Sequence, residues 1–297
     1  MVKLLAEDAC AKINLFLRVT GRRADGYHQL DSIFVPVSIS DRITIEIRPT
    51  PAAMVSLRCD LPSLSDPESN LAMRAARAYL REFGISAQAR IELRKAIPVG
   101  AGLGGGSSDA GTVLRMMTSM IASHPNDTSS ERLKKIAVGL GADVPFFLDP
   151  RPARVRGIGE VIAPFDRFPT LHLVIAVPEV EVPTASVFKA LQREHWSGPA
   201  SDRDIEAILR GEVSGTYLIN DLEAPAMALY PQIAKLKKML QECGANASSM
   251  SGSGGAVFGL FPDANGAARA AERLSIRAPE AKVFAAKSLT DGLAVAD

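Results

Sequence analysis

The side chains and backbone most able to do chemistry lie in one stretch, Pro98-Val-Gly-Ala-Gly-Leu-Gly-Gly-Gly-Ser-Ser-Asp-Ala-Gly111. It holds six glycines and two adjacent hydroxyls. Glycine tolerates positive φ and lets backbone approach a ligand, so such a run can aim successive N–H groups into one concavity. A helical pattern follows at once, with Val113, Leu114, Met117, Met120 and Ile121 as its apolar side. The helix start adds unpaired N–H donors and a partial positive charge. The combination predicts an anion cradle, and the usual anion is a phosphate.

Two familiar phosphate motifs do not fit. Gly100, Gly102 and Gly105 match G-x-G-x-x-G, but Pro98 interrupts the approaching strand and His124–Thr128 reads as a loop rather than a second strand. The Walker pattern needs a lysine before the hydroxyl, and Gly106 stands there. A flexible linker is the other reading, and the tight apolar helix that follows favours the cradle.

Other candidates are scattered. Lys12 and Asn14 share one face of an alternating segment, Lys12–Val19, and point the same way. The period alone makes Lys12 a solvated strand residue. Tyr27 and His28 follow a turn-rich Gly21–Gly26 loop with an Asp-Gly step; Tyr27 suits either stacking on a flat ring or a core edge. Asp143 stands between a helix-ending Gly141 and the apolar Val144–Phe147, as a local cap or a placed charge.

The elements that must position these groups are legible in outline. Strands are predicted at 12–19, 32–37, 42–48 and 90–93, and residues 49–69 read as connection. Asn70 caps a helix that Gly84 ends, with Arg74, Arg77 and Arg81 as its solvated stripe. A helix at 130–140 precedes Asp143. After a short strand near 151–159 come an apolar strand at 171–177, a Pro-rich loop with Thr184 and a helix carrying Phe188. A short helix near 205–209, a helix from Pro231 to Gly244, a Gly/Ser loop at 248–255, a strand at 256–261, a helix at 267–274 and a strand at 282–286 complete the chain. The last part reads as a split βαβ sandwich, with a domain change near residue 160.

Composition narrows the class. The 297 residues are 47% hydrophobic and carry a net charge of +1, so bulk charge points to neither nucleic acid nor an anionic membrane. Cys10, Cys59 and Cys243 are far apart and read as buried thiols in a reducing compartment. The start of the chain turns acidic too soon for a signal peptide, and no apolar run approaches a membrane span, so a cytoplasmic protein is expected.

Three motifs stand in one order: Ala11-Lys-Ile-Asn-Leu-Phe-Leu17 with Gly26-Tyr-His28, then Pro98–Ser108, then Ser251-Gly-Ser-Gly-Gly255. The set resembles the GHMP kinase superfamily over essentially the whole chain. With R-x-D-G-Y-H, G-L-G-G-G-S-S and G-A-D-V-P-F-F it resembles the branch that phosphorylates a cytidylated methylerythritol in non-mevalonate isoprenoid synthesis. One departure is Cys10, where that branch often has proline.

The resemblance implies an α+β fold. A ribosomal-S5-like N-terminal domain would span 1–160 and a ferredoxin-like C-terminal domain 161–297, with the active site between them. It implies ATP phosphates on Pro98, Val99, Gly100, Ala101, Gly102, Leu103, Gly104, Gly105, Gly106, Ser107 and Ser108, with Mg²⁺ as the accompanying ion and no ligand for it identified beyond the two serines. It makes Asp143 the general base and Lys12 its charge partner. Tyr27 would stack on cytosine and His28 bind its edge. Asn14 would contact substrate, and Thr184 and Phe188 would close the other side of the base. Asn70 and Lys95 are nucleotide contacts by position only. The implied partners are small molecules, with no nucleic acid or membrane, and the chain would be a monomer or homodimer. Two alternatives stay open: a kinase of the same superfamily acting on mevalonate, homoserine or a sugar, and a non-catalytic ATP-binding module.

Overall fold

Alternation of apolar residues from Ile13 to Val19 does build a strand, but a longer one than the period predicts. In the computed structural model, which describes residues 2–64, 66, 68–121 and 130–290, β1 runs Lys3–Arg22 and is buried on both faces from Ala9 to Leu17. The expectation of a half-buried strand with a solvated Lys12 is therefore corrected. Both faces are packed, and Lys12 is 3% exposed.

The predicted strands at 32–37 and 42–48 are one element, β2, His28–Pro49. Residues 38–41, between the two expected strands, continue the strand. Here Asp41 is fully buried inside the strand, and its carboxylate accepts from Ala96 N at 2.6 Å and Ile97 N at 2.8 Å. The stretch 49–69, expected as connection, contains β3, Met54–Cys59, parallel to β4, Ala87–Arg94.

The chain folds as two compact units that interleave along the sequence. The first comprises Met1–Ala11, Ser40–Ile97 and Gly104–Pro150; the second comprises Lys12–Ile39, Pro98–Leu103 and Arg151–Asp297.

In the first unit β4 lies between β3 and the second half of β2, with which it pairs antiparallel from Arg42↔Arg94 to Pro49↔Ala87. Against these strands pack α1, Leu71–Glu82, and α2, Gly105–Ile121. Asn70 caps α1 as predicted: its side-chain oxygen accepts from Ala72 N at 2.9 Å and Met73 N at 3.3 Å. Ile43, Ile45, Ile91, Tyr79, Leu80, Val113, Leu114 and Met117 form the centre of this core. The helix α3, Ser130–Leu140, and a 3-10 turn, Val144–Leu148, follow. The loop expected at His124–Thr128 lies outside the described residues.

In the second unit β5, Ala153–Gly157, pairs with the first half of β2, and β6, Val161–Pro164, lies on its other side. A four-stranded antiparallel sheet has the order β10-β7-β9-β8, made of β7, His172–Val177, β8, Ala247–Met250, β9, Val257–Phe261, and β10, Lys282–Lys287. With α7, Pro231–Glu242, and α8, Ala264–Arg277, as crossovers, this is the split βαβ order. The helices α4, Thr184–Ala190, α5, Asp202–Leu209, and α6, Glu223–Leu229, lie between β7 and α7 in the chain.

Two expectations change here. Ser248 and Ser249 belong to a buried strand, so the Gly/Ser loop is only Ser251–Gly255. Thr184 opens α4 rather than preceding it. Among the described residues no helix is long and apolar enough to cross a membrane. All three cysteines are free; Cys59 is half-buried, and burial pushes the Cys10 thiol up to about 11.

Candidate active site

In the second unit the first half of the glycine loop is built by alternation. Ala101 and Leu103 are buried, while Gly100 and Gly102, which alternate with them, have φ of +69° and +76°. The loop is anchored from both neighbours in this unit. Leu103 O accepts from Lys12 N at 2.9 Å, and Ala101 O accepts from Ala256 N at 2.9 Å. Ser251 Oγ donates to Gly102 O at 3.0 Å. The third glycine motif is thus a buttress of the first. A Cβ on Gly102 would lie 2.3 Å from Ser251 O, and one on Gly255 would lie 3.1 Å from Ala101 Cα.

Lys12 and Asn14 meet as the strand period requires. Lys12 Nζ donates to Asn14 Oδ1 at 2.6 Å and sits 4.5 Å from the centre of the Phe34 ring. Asn14 Nδ2 donates to Ser32 Oγ at 3.0 Å, and Asn14 N donates to Ser251 Oγ at 3.2 Å. A buried ammonium is expensive unless its donors are used, so a lysine at 3% exposure is a placed charge, not a solubilising one.

The aromatic candidates lie in the same unit. Tyr27 follows a turn closed by Gly26 N to Arg23 O and is 62% exposed, which removes the core-edge reading. His28 stacks on Phe188 with ring centres 5.2 Å apart. Burial, then the Arg22 charge, lowers the His28 pKa, so the neutral imidazole has one donor and one acceptor to offer. Thr184 Oγ1 and Ser253 Oγ share a hydrogen bond of 2.7 Å, joining α4 to the third motif.

In the first unit Gly105 and Gly106 begin α2, whose first turn carries free N–H groups. Ser107 is half-buried. Ser108 is fully buried, and its hydroxyl donates to Cys10 O at 2.6 Å, fixing the helix start on β1. Asp143 stands at the start of the 3-10 turn but makes no side-chain capping bond to it. The reading of Asp143 as the N-cap of this turn is not met; proline at position 145 removes one of the amides such a cap would bind. The turn is held to α2 by Arg115, whose guanidinium donates to Phe147 O.

Sequence reasoning missed a buried charge cluster behind the helix start. Lys95 Nζ donates to Asp109 Oδ2 at 2.6 Å and also to Asp41, and all three side chains are nearly or fully buried. Burial pushes the Asp109 carboxyl up to about 8, against the pull of Lys95 and with the push of Asp41. Burial would lower the Lys95 pKa, but Asp109 and Asp41 together raise it. Asp109 Oδ1 meets no donor among the described residues. A Cβ on Gly105 would come within 3.5 Å of Lys95 Nζ, so the cluster abuts the cradle. The only advance signal was an acidic residue inside the apolar side of α2.

A glycine loop opening a helix, a buttressing third glycine motif and a split βαβ sheet define a class. The model for the GHMP kinases N terminal domain matches residues 70–149, and the model for the GHMP kinases C terminal domain matches 188–280. The architecture is the two-domain α+β GHMP kinase fold. A 4-diphosphocytidyl-2-C-methyl-D-erythritol kinase of Geobacter metallireducens is 40% identical over 92% of this chain and 95% of its own. One of Paracoccus denitrificans is 42% identical over 91% of each. A crystal structure of 4-(cytidine 5'-diphospho)-2C-methyl-D-erythritol kinase has a TM-score of 0.82 and 38% identity, covering 96% of this chain and 99% of its own. The chain belongs to the 4-diphosphocytidyl-2-C-methyl-D-erythritol kinases. A homoserine kinase of Cytophaga hutchinsonii, 18% identical with a TM-score of 0.72 over 97% of this chain and 95% of its own, shares the fold.

Proposed function

We propose that this chain transfers the γ-phosphoryl group of ATP to the 2-hydroxyl of 4-diphosphocytidyl-2-C-methyl-D-erythritol, giving the 2-phosphate and ADP in the non-mevalonate route. The observation that carries the reading is family membership at about 40% identity over nine-tenths of the chain, in a chain that has both Lys12 and Asp143. The division of labour follows the family. Residues 1–160 supply the phosphate loop and the catalytic pair, and residues 161–297 supply the wall of the base subsite. The enzyme works in the cytoplasm as a monomer or homodimer, on small molecules alone.

The acceptor is a tertiary alcohol, hindered and weakly nucleophilic. Phosphoryl transfer is mostly positioning plus charge stabilisation. Asp143 takes the hydroxyl proton on its carboxylate. The lone pair freed on the acceptor oxygen forms the new O–P bond as the bond from the γ-phosphorus to the β-phosphate's bridging oxygen breaks, and ADP leaves with the electron pair of the broken bond. Lys12 faces the charge that develops, its ammonium held in place by Asn14. The amides of the loop from Pro98 to Ser108 receive the β- and γ-phosphate oxygens.

No cluster of three acidic, histidine or cysteine side chains converges among the described residues. Ser107, at the start of α2 and half-buried, is the hydroxyl that would hold a Mg²⁺ accompanying the nucleotide. The bound ion would supply charge neutralisation at the phosphate oxygens. On the acceptor side, Tyr27 stacks on cytosine, His28 reads its edge, and Phe188 and Thr184 close the opposite side.

The test is coupled ADP release with the cytidylated acceptor beside mevalonate and homoserine. Turnover only with the cytidylated acceptor is expected; turnover with another acceptor and none with this one overturns the reading. Asp143→Ala is expected to lower kcat at least 10³-fold with ATP binding retained, since a positioned base supplies about 10²–10⁴. Normal turnover in that variant removes Asp143 as the base.

A further inference from the structure

The single tryptophan of the chain, Trp196, stands outside every motif considered above. It lies on an irregular segment just after a 3-10 turn, Arg193–His195, with its amide donating to Arg193 O at 3.1 Å. Its ring meets His28 edge-on, with centres 5.8 Å apart and planes at 88°. Phe188 meets the same imidazole nearly face-on, at 25°. Two rings set close to perpendicular about one imidazole fix both its plane and its rotation within that plane.

The segment is tied down more firmly than a loop of this composition needs. Asp221, 5% exposed, accepts from Ser197 N at 2.9 Å and from the Ser197 hydroxyl, while also accepting from Val19 N at 2.6 Å. Three residues beyond Ser197, Ala200 N donates to the buried Asp31 at 2.8 Å, and Arg154 donates to Ala200 O at 3.0 Å. Two buried carboxylates thus hold the backbone on either side of Gly198. Burying charges is costly unless it fixes something, and what these fix is the residue next to Ser197. The indole N–H of Trp196 is buried and meets no acceptor among the described residues.

We infer that Trp196 is a positioning residue of the base subsite: with Phe188 it locks the His28 ring in the orientation that reads the edge of a cytosine. The inference rests on the proposed assignment of His28 to the base. A neutral imidazole distinguishes donor from acceptor only while its two nitrogens stay in place, and ring rotation by half a turn exchanges them. The aromatic contact therefore acts on affinity and base choice, and leaves the phosphoryl-transfer step alone.

Three measurements on the full chain test this. Titration of the wild-type enzyme with cytidine 5'-diphosphate is expected to shift the emission of the sole tryptophan, and uridine 5'-diphosphate to do so more weakly. Trp196→Ala is expected to raise KM for the cytidylated acceptor about 2- to 10-fold, the range for one aromatic pair, with kcat and KM for ATP unchanged; Trp196→Phe recovers most of the loss. Because the residue acts through another, Trp196→Ala placed in a His28→Ala background should add little, whereas independent contacts would add in full. Full additivity, an unchanged KM in Trp196→Ala, or emission unmoved by saturating cytidine 5'-diphosphate in an enzyme that phosphorylates the cytidylated acceptor overturns the inference. If the acceptor is not phosphorylated but the cytidine nucleotide still moves the emission, the proposed reaction fails and the role of Trp196 stands.

Discussion

Gly100 and Gly102 form a matched pair for a steric experiment. Both have positive φ, +69° and +76°, so alanine at either pays the same backbone strain, on the order of 1–2 kcal/mol. They differ in space. A Cβ at Gly100 meets nothing within 4 Å, whereas at Gly102 it would stand 2.3 Å from Ser251 O and 3.1 Å from Gly254 O. Ordinary contact begins at 3.4 Å, so Ser251 O must retreat by 3.4 − 2.3 = 1.1 Å. That carbonyl also accepts from Gly254 N at 3.1 Å, and Ser251 Oγ donates to Gly102 O, so the retreat disturbs both motifs. Overpacking of this kind costs about 1–3 kcal/mol. Gly102→Ala should therefore melt below Gly100→Ala by roughly 2–12 °C, taking about 2–4 °C per kcal/mol for a large domain. Thermal unfolding of the two variants side by side measures this, and KM for ATP should rise more in Gly102→Ala. Equal melting temperatures would refute the claim that the third motif buttresses the first.

Tyr27→Ala is expected to raise KM for the cytidylated acceptor roughly tenfold, within the range of about 1–3 kcal/mol for base stacking. Its melting temperature should stay at the wild-type value, since Tyr27 is 62% exposed; an unmoved KM ends the stacking role. The Asp109 carboxyl, raised to about 8 from 3.8 by burial, binds a proton in the folded chain that the unfolded chain releases near pH 4. The stability this contributes is complete below pH 4 and is lost as pH rises through about 8. Asp109→Asn has no such titration, so its melting temperature relative to wild type should climb between pH 5 and pH 8.5. Parallel curves for the two proteins would count against a proton on Asp109.

How much of this was legible in advance follows the range of the interactions involved. The Asn70 cap, the ending of α1 at Gly84 and the start of α2 after the glycine run depend on residues within a few positions, and they appear where the pattern puts them. The three motifs identified the family because each is a local string. The strands at 32–37 and 42–48 are expected apart, but Asp41 between them is a buried strand residue. The lysine that makes it a strand residue stands 54 positions away. Ser248 and Ser249 were read as loop because serine is a poor strand former, and only the register with β9 shows them inside the sheet.

The amino-acid order by itself therefore determined the glycine loop, the helix that follows it, the alternation that sets Lys12 beside Asn14, and the kinase family. Only the tertiary structure decided that Lys12 is buried rather than solvated, that Asp143 is no cap, and that Lys95, Asp41 and Asp109 form one charge cluster. It also decided that Trp196 stands against His28. The physical reason is that burial and desolvation depend on what covers a face. For β1 part of that cover is Ser251, 237 residues from the Asn14 amide it accepts from, a distance over which periodicity carries no information.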